Sequence, residues 1–150
     1  MAISNDLDFK ASLNDLDAYQ QRRLAVYFVE NVLSLCRDAR ISAAIGTAKR
    51  TGVTDAELAP AYQAANTARV ESFTQCGKET DWQAQAGHFV AKAALACVKP
   101  AEPGVNLAWE AAMSARMART CEVIALGQGT ENAEAEAQYR ILYEYLNSDR

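Results

Sequence analysis

The sequence predicts an all-α fold, a six-helix antiparallel bundle in a single domain of residues 1–150. About one residue in five is alanine, the best helix former, whereas the chain has only 7 glycines and 3 prolines to interrupt helices. Half of the residues are hydrophobic and 23% are charged, a composition that can bury a core. We expect a partly ordered lead over residues 1–13 and a frayed end over residues 148–150.

The first two helices are predicted from hydrophobic periodicity and from the residues that can cap them. The first covers about residues 16–35, with apolar side chains at steps of three and four. Ser12 and Asn14 are its candidate N-caps, because their side-chain oxygens can accept a hydrogen bond from an unpaired backbone amide. Asp38 is placed to cap a second, shorter helix, which Gly52 ends. The short connection predicts an antiparallel pair.

The third and fourth helices each begin at a sequence typical of a capping box. Residues 54–57 read Thr-Asp-Ala-Glu, and residues 80–83 read Thr-Asp-Trp-Gln. Pro60 lies inside the third helix, where it removes a hydrogen bond, and we expect a kink or a restart there. The third helix is predicted to end near Cys76 and the fourth near Cys97, which gives a second antiparallel pair.

The last two helices follow a plain loop that contains Pro100, Pro103 and Gly104. Asn106 can cap the fifth helix, over about residues 107–125, and a Gly-Gln-Gly segment then interrupts the helical pattern. Thr130 is the predicted cap of the sixth. These two helices complete a third pair.

A nine-residue pattern occurs twice. Residues 61–69 and 108–116 both match A-[YW]-[QE]-A-A-x-[ST]-A-R, 47 residues apart, and residues 18–20 repeat its beginning. A period of one helix pair indicates three successive αα-hairpins, either by duplication or because alanine-rich helices resemble one another. The arginines that end the two copies, Arg69 and Arg116, either pair with a carboxylate or a helix C-terminus or form a matched pair of anion contacts.

The charge of the chain is uneven. With 15 basic and 19 acidic residues the net charge is -4, which does not fit a nucleic-acid-binding domain. Residues 22–50 nevertheless carry six bases against two acids. These bases are either a solvated helix surface or a partner-binding face for an anionic partner. They are Arg22, Arg23, Arg37, Arg40, Lys49 and Arg50.

Catalysis, metals and cofactors are not predicted. His88 is the only histidine, and no carboxylate lies three or four residues from it, so the sequence lacks a Glu-x-x-His metal site. It also lacks a phosphate-binding loop, and the candidate carboxylate pair for acid and base chemistry, Glu134 and Glu136, points to different helix faces. We expect no catalytic residue, no metal site, no cofactor and no enzymatic activity.

A cytoplasmic location is expected, with no membrane partner. The first residues lack the basic and apolar segments of a secretion signal, and no run of about 18 apolar residues occurs. In a reducing compartment the cysteines are expected to be small core residues, and in an oxidising one the sequence leaves three disulfide pairings open. They are Cys36, Cys76, Cys97 and Cys121.

Several short motifs together resemble a known family. They are Arg23-Leu24-Ala25, Val32-Leu33, Asp38-x-Arg40, Ala44, Thr54-x-x-Glu57-Leu58 and the A-W-x-A-A-x-x-A-R run. This pattern, over residues 22–118, resembles the immunity proteins of bacterial polymorphic toxin systems and related alanine-rich helical proteins of unknown function. The resemblance implies an all-helical fold and a non-catalytic role in which the protein neutralises a toxin by binding it.

The sequence therefore predicts a non-catalytic binding protein that acts on a partner protein such as a toxin domain. A homodimer through an alanine-rich face is a further expectation. The alternative function is a carrier or sensor of a small apolar ligand held between helices, and a third class is a redox sensor that uses the cysteines. The residues expected to line such a cavity are Tyr62, Trp82, Phe89 and Trp109.

Overall fold

The computed structural model describes residues 3–75 and 81–148, and in these residues the chain has seven α-helices, one short 3-10 turn and no strand. The all-α prediction is confirmed. The predicted number of six helices is wrong, because the N-terminal segment forms a helix of its own. The helices are α1 (Asp6–Asn14), α2 (Ala18–Glu30), α3 (Ala39–Lys49), α4 (Asp55–Gln75), α5 (Trp82–Val98), α6 (Leu107–Ala125) and α7 (Glu134–Asn147), and the 3-10 turn is Leu33–Leu35.

Helix α1 is the element that the sequence did not predict. We expected a partly ordered lead over residues 1–13, and the structure instead has a helix from Asp6 onward. The Asn5 side chain caps this helix by accepting a hydrogen bond from the Asp8 amide at 2.9 Å. Phe9 and Leu13, about one helical turn apart, are fully buried against the bundle. Burial of these two apolar side chains offsets the entropy lost when so short a segment becomes ordered.

The start of α2 also differs from the prediction. Ser12 and Asn14 belong to α1, and the N-cap of α2 is Asp17. The Asp17 carboxylate accepts a hydrogen bond from the Gln20 amide at 2.8 Å, and the Gln20 side chain accepts one from the Asp17 amide at 3.1 Å. Helix α2 ends at Glu30, and the 3-10 turn occupies part of the predicted continuation.

The predicted caps of α3 and α4 are confirmed. The Asp38 carboxylate accepts a hydrogen bond from the Arg40 amide at 2.9 Å. Thr54 and Glu57 form the expected capping box, with the Glu57 amide 3.2 Å from the Thr54 hydroxyl and the Thr54 amide 3.1 Å from the Glu57 carboxylate.

Helix α4 continues without a break through Pro60, so of the kink or restart that we expected there, the restart is wrong. Proline has no amide hydrogen, and the carbonyl of Ala56 therefore lacks its usual partner within the helix. Pro60 and Ala56 both lie on the exposed side of α4. Water can bond to this carbonyl, which makes the proline tolerable inside a helix.

The cap of α6 follows the prediction, whereas the N-cap of α5 is Asp81 and not Thr80, the first residue of the predicted capping box. Thr80 and the predicted end of the third helix at Cys76 lie outside the described residues. Helix α5 is capped by Asp81, whose carboxylate accepts a hydrogen bond from the Ala84 amide at 3.0 Å. Asn106 caps α6 as predicted.

The start of α7 corrects the prediction that Thr130 is its cap. The helix begins at Glu134, four residues later. The Asn132 side chain accepts a hydrogen bond from the Glu134 amide at 3.1 Å and so provides a local partner for the first turn.

Helices α5 and α6 form the centre of the bundle and make its most extensive helix pairing. Buried alanines occur along both helices, so the two backbones come close together. Helices α3 and α4 pack on the α5 side, α1 and α7 contact α6, and α2 contacts both central helices. The main pairing therefore joins the second and third predicted hairpins instead of lying within one of them.

Candidate functional site

Two arginines of the predicted partner-binding face are bonded within the chain. The guanidinium of Arg22 donates to the carbonyls of Cys97 and Lys99 at 2.6 and 3.0 Å, and thereby caps the C-terminal end of α5. Arg23 donates to the Lys49 carbonyl at 3.1 Å, at the end of α3. Both arginines connect α2 to the ends of neighbouring helices.

Two bases at the end of α3 form ion pairs. Lys49 lies 2.8 Å from Glu30 of α2, and Arg50 pairs with Glu57 of α4. These pairs are at the surface, where an ion pair adds little stability because water screens it. Their charges are nevertheless neutralised, so they leave little positive potential for an anionic partner.

The structure does not bring together the four aromatic residues predicted to line a ligand cavity. Tyr62 and Phe89 pack against the large core cluster formed by α2 to α6. Trp109 belongs to a separate cluster beneath α1, where its ring lies 6.1 Å from that of Phe9. Trp82 is exposed at the first position of α5. These residues therefore do not form the cavity that we predicted for an apolar ligand.

One end of the bundle carries a cleft of about 520 Å³. The 3-10 turn, the starts of α3 and α5 and the ends of α4 and α6 surround it. His88, Ser72 and Cys36 line it together with two arginines and four carboxylates, so that negative charges outnumber positive ones. The charged residues are Arg37, Arg40, Asp38, Glu71, Asp81 and Glu122.

Arg40 and Arg37 are the two members of the basic stretch that line this cleft. The Arg40 guanidinium lies 2.7 Å from the Asp38 carboxylate and 2.5 Å from the Glu71 carboxylate, and so joins α3 to α4. Hydrogen bonds from Arg40 lower the pKa of both acids. Arg37 is exposed and forms no ion pair within the described ranges. Five of the six predicted bases therefore have internal partners.

His88 of α5 is held in the cleft by α4. Its Nδ1 atom lies 2.9 Å from the Ser72 hydroxyl, which donates to the Arg69 carbonyl at 2.8 Å. When the hydroxyl proton is on the Arg69 carbonyl, the Ser72 oxygen accepts from Nδ1–H, and the neutral ring then has its lone pair on Nε2. Burial, and to a smaller extent the positive charges of Arg69 and Lys92, lowers the pKa of His88. The ring is therefore neutral at pH 7.

The contact of His88 with Ser72 is one that the sequence did not predict. The two residues are 16 positions apart and meet because α4 and α5 lie side by side. An activated serine needs a base that takes its proton, whereas this hydroxyl proton is bonded to a carbonyl.

In the part of the chain that the structure describes, no group of three His, Cys, Asp or Glu side chains is placed to hold a metal ion.

Large apolar side chains are exposed beside the cleft. Phe73 of α4 is 68% exposed, and its ring lies 5.7 Å from that of His88. Trp82 is 36% exposed, and its two neighbours in the chain line the cleft. Leu126, which follows α6, lines the cleft and is 58% exposed. We call Phe73, Trp82 and Leu126 the apolar rim, and such exposed groups are typical of a protein interaction surface.

Three of the four cysteines lie in the described ranges, and no disulfide joins them. Cys36 is half-buried in the cleft, and Cys97 and Cys121 are in the core. Burial raises the pKa of the Cys36 and Cys97 thiols, so both are protonated at pH 7 and react slowly with oxidants. Cys76 lies outside the described residues.

No family model, no curated protein and no solved structure matches this chain. Among the helices that the structure describes, none is long and apolar enough to cross a membrane. The cleft and the apolar rim are therefore the features from which a function can be inferred.

Proposed function

We propose that this chain is a non-catalytic binding protein whose partner is another protein, and that the cleft with its apolar rim is the contact surface. The observation that carries the proposal is the exposure of Phe73, Trp82 and Leu126 beside a polar cleft. Aromatic and aliphatic side chains of this kind become the buried anchors of protein interfaces. A stable interface buries about 1,200–2,000 Å², so the partner would also cover neighbouring parts of α4 and α5.

The charges of the cleft favour a neutral or basic partner surface. Four carboxylates and two arginines line it, and His88 adds no charge at pH 7. Asp38 and Glu71 share the Arg40 guanidinium and Glu122 pairs with Arg119, so the carboxylate excess that remains is small, and it favours basic over acidic side chains. The proposed partner therefore differs from the anionic partner that residues 22–50 indicated, because most of those bases are bonded within the chain.

Toxin neutralisation is the specific form of this proposal. It depends on the resemblance of residues 22–118 to immunity proteins, which act by binding and need no catalytic group. The Asp38-x-Arg40 motif of that resemblance lies in the cleft, where Arg40 also bonds to Glu71. We propose a toxin domain with a neutral or basic contact surface as the partner. The apolar-ligand alternative has less support, since its four predicted residues are dispersed.

Binding to a toxin domain encoded beside the gene for this chain tests the proposal. Phe73→Glu places a negative charge on the apolar rim and should weaken binding about thirty-fold, since truncating a central aromatic anchor costs about 2 kcal/mol. Leu7→Glu is the matched control, because Leu7 is 82% exposed and lies on α1, which does not line the cleft. Helix α1 bonds instead to Asn106, the N-cap of α6, and to Arg116 of α6. Titration calorimetry measures both affinities.

Co-expression with the toxin gives a second readout. The wild-type chain and the Leu7→Glu variant should protect the cell, and the Phe73→Glu variant should not. Circular dichroism and the urea midpoint show whether each variant is folded. Equal binding by both variants would remove the apolar rim as the contact surface, and a wild-type chain that neither binds nor protects would contradict toxin neutralisation.

A further inference from the structure

A second groove, of about 470 Å³, lies between α2 and α7. Tyr27 and Glu30 of α2 line it from one side, and Glu144 and Tyr145 of α7 line it from the other. We call it the tyrosine groove. It shares no lining residue with the cleft, and it is therefore a separate site.

The two tyrosine rings are fixed by the core beneath them. Their centroids are 6.2 Å apart, and the ring planes are inclined at 55°. Tyr27 and Tyr145 are both half-buried and pack on the cluster that contains Phe28 and Leu142. The groove therefore has two aromatic rings in a defined geometry, which a ligand can contact without first ordering them.

The acids of the groove differ in their surroundings. Glu30 pairs with the Lys49 ammonium at 2.8 Å, so one ammonium group is already bound at this edge. Glu144 is exposed and forms no ion pair with any described residue. Its carboxylate gives the tyrosine groove a negative charge that no described side chain contacts at ion-pair distance.

We propose that the tyrosine groove binds an organic cation that carries an ammonium or guanidinium group. The cation contacts the two tyrosine rings on one side and the Glu144 carboxylate on the other. The face of an aromatic ring carries negative potential and attracts a cation, and the carboxylate adds a full negative charge. A carboxylate or phosphate ligand would instead be repelled by Glu144. This inference is independent of the proposed function, because none of the residues that line the tyrosine groove lines the cleft.

Titration of the full chain with choline, followed by the NMR signals of the tyrosine rings, tests this inference. The control ligand is the neutral alcohol of the same shape, in which a carbon atom replaces the nitrogen. At constant ionic strength, choline should shift the Tyr27 and Tyr145 signals to saturation, and the neutral alcohol should not. Equal shifts with both ligands would overturn the proposal.

Variants on one helix separate the groove from the surface around it. Tyr145→Leu should weaken choline binding about five-fold by removing a ring, and Glu144→Gln about three-fold by removing the charge. Tyr143→Leu and Glu136→Gln are the matched controls, since both residues are exposed on α7 outside the groove, and they should leave the affinity unchanged. If Tyr145→Leu does not fold, Glu144→Gln still decides, and an unchanged affinity in that variant contradicts the proposal.

A third ligand identifies the source of the cation. This ligand is N-acetyl-lysine amide, in which both backbone ends are blocked and the side-chain ammonium group is free, as it is in a protein. If it binds as tightly as choline, the natural cation is a lysine or arginine of a partner protein, and if only choline binds, it is a small quaternary amine. Binding of neither ligand overturns the proposal.

Discussion

The two copies of the nine-residue pattern have similar sequences and different surroundings. The copy at residues 61–69 lies on α4 at the side of the bundle, whereas the copy at residues 108–116 lies on α6 at its centre. All four alanines of the pattern are buried in the α6 copy, and only two of the four are buried in the α4 copy. Position in the bundle, rather than local sequence, determines how much of the pattern is buried.

The arginines that end the two copies differ in the same way. Arg69 donates to Asn66 of its own helix at 3.0 and 3.2 Å. Arg116 donates to Gln138 of α7 at 2.8 Å and to both carboxylate oxygens of Asp6 of α1 at 2.8 and 3.0 Å. Of the two alternatives left open by the sequence, a carboxylate partner is therefore found for Arg116, which joins three helices.

The largest expected difference between the copies concerns the size of side chain that each tolerates. Ala111→Leu adds volume at a fully buried position of α6 and should lower the free energy of unfolding by about 2–3 kcal/mol. Ala64→Leu at the equivalent position of α4, which is half-buried, should lower it by less than about 1 kcal/mol. Urea unfolding measures both. Equal losses would show that the two environments do not differ in packing.

A smaller difference is expected for the two arginines. Arg116→Met removes a partner from the buried Gln138 side chain, and an unsatisfied buried oxygen should cost about 2 kcal/mol of unfolding free energy. Arg69→Met should cost less than about 0.5 kcal/mol, since its bonds lie within one helix. Arg116→Lys should recover only part of the loss, because an ammonium group cannot reproduce the planar geometry of the guanidinium. Full recovery by lysine would contradict this role for Arg116.

The smallest expected effect is a pH dependence of the α6 copy that comes from the carboxylate partner of Arg116. The hydrogen bond from Arg116 lowers the pKa of Asp6 below the ordinary 3.8. An acid with a lowered pKa in the folded state binds fewer protons there than in the unfolded state, so it stabilises the fold above about pH 4 and loses this contribution as the pH falls through the folded value. Because Asp6 is half exposed, the effect should be below about 1 kcal/mol.

Comparison of the wild-type chain with Asp6→Asn isolates this effect. The difference in urea midpoint between the two should be constant above about pH 5 and shrink toward pH 3. The difference between the wild-type chain and Arg69→Met should not follow the titration of Asp6, since Arg69 forms no ion pair in the described ranges and its charge acts on His88 instead. An Asp6→Asn difference that stays constant down to pH 3 would contradict the lowered pKa.

The fold was predictable where the signals are local. The caps at Asp38, Thr54 and Asn106 are confirmed because a cap bonds only to residues two or three positions away. Helix α1 was missed because it is short and its apolar residues, Leu7, Phe9, Ala11 and Leu13, recur every two residues, which is not a helical spacing. Its stability comes from distant residues, since the Phe9 ring lies 5.3 Å from that of Tyr139.

The candidate site was less predictable because its contacts connect distant parts of the chain. The sequence shows the charge of Arg22, but its carbonyl partner at Cys97 lies 75 residues away. The exposure of Phe73 and Leu126 likewise depends on which helices end at the cleft, and no periodic pattern marks it. A count of bases therefore predicted a free basic face, and the tertiary structure neutralises most of it.

The alanines between α5 and α6 also affect the entropy of folding. Alanine has no side-chain rotamers, so burying it freezes no side-chain torsion, whereas each leucine at such a position would lose about 0.5–1 kcal/mol of rotamer freedom. The centre of this bundle therefore becomes ordered at a smaller cost in side-chain entropy than a leucine-rich centre would, although Val90, Cys97 and Val98 of α5 are also buried. The alignment of α5 with α6 then depends on the close approach of two alanine-rich helix surfaces more than on the interlocking of long side chains.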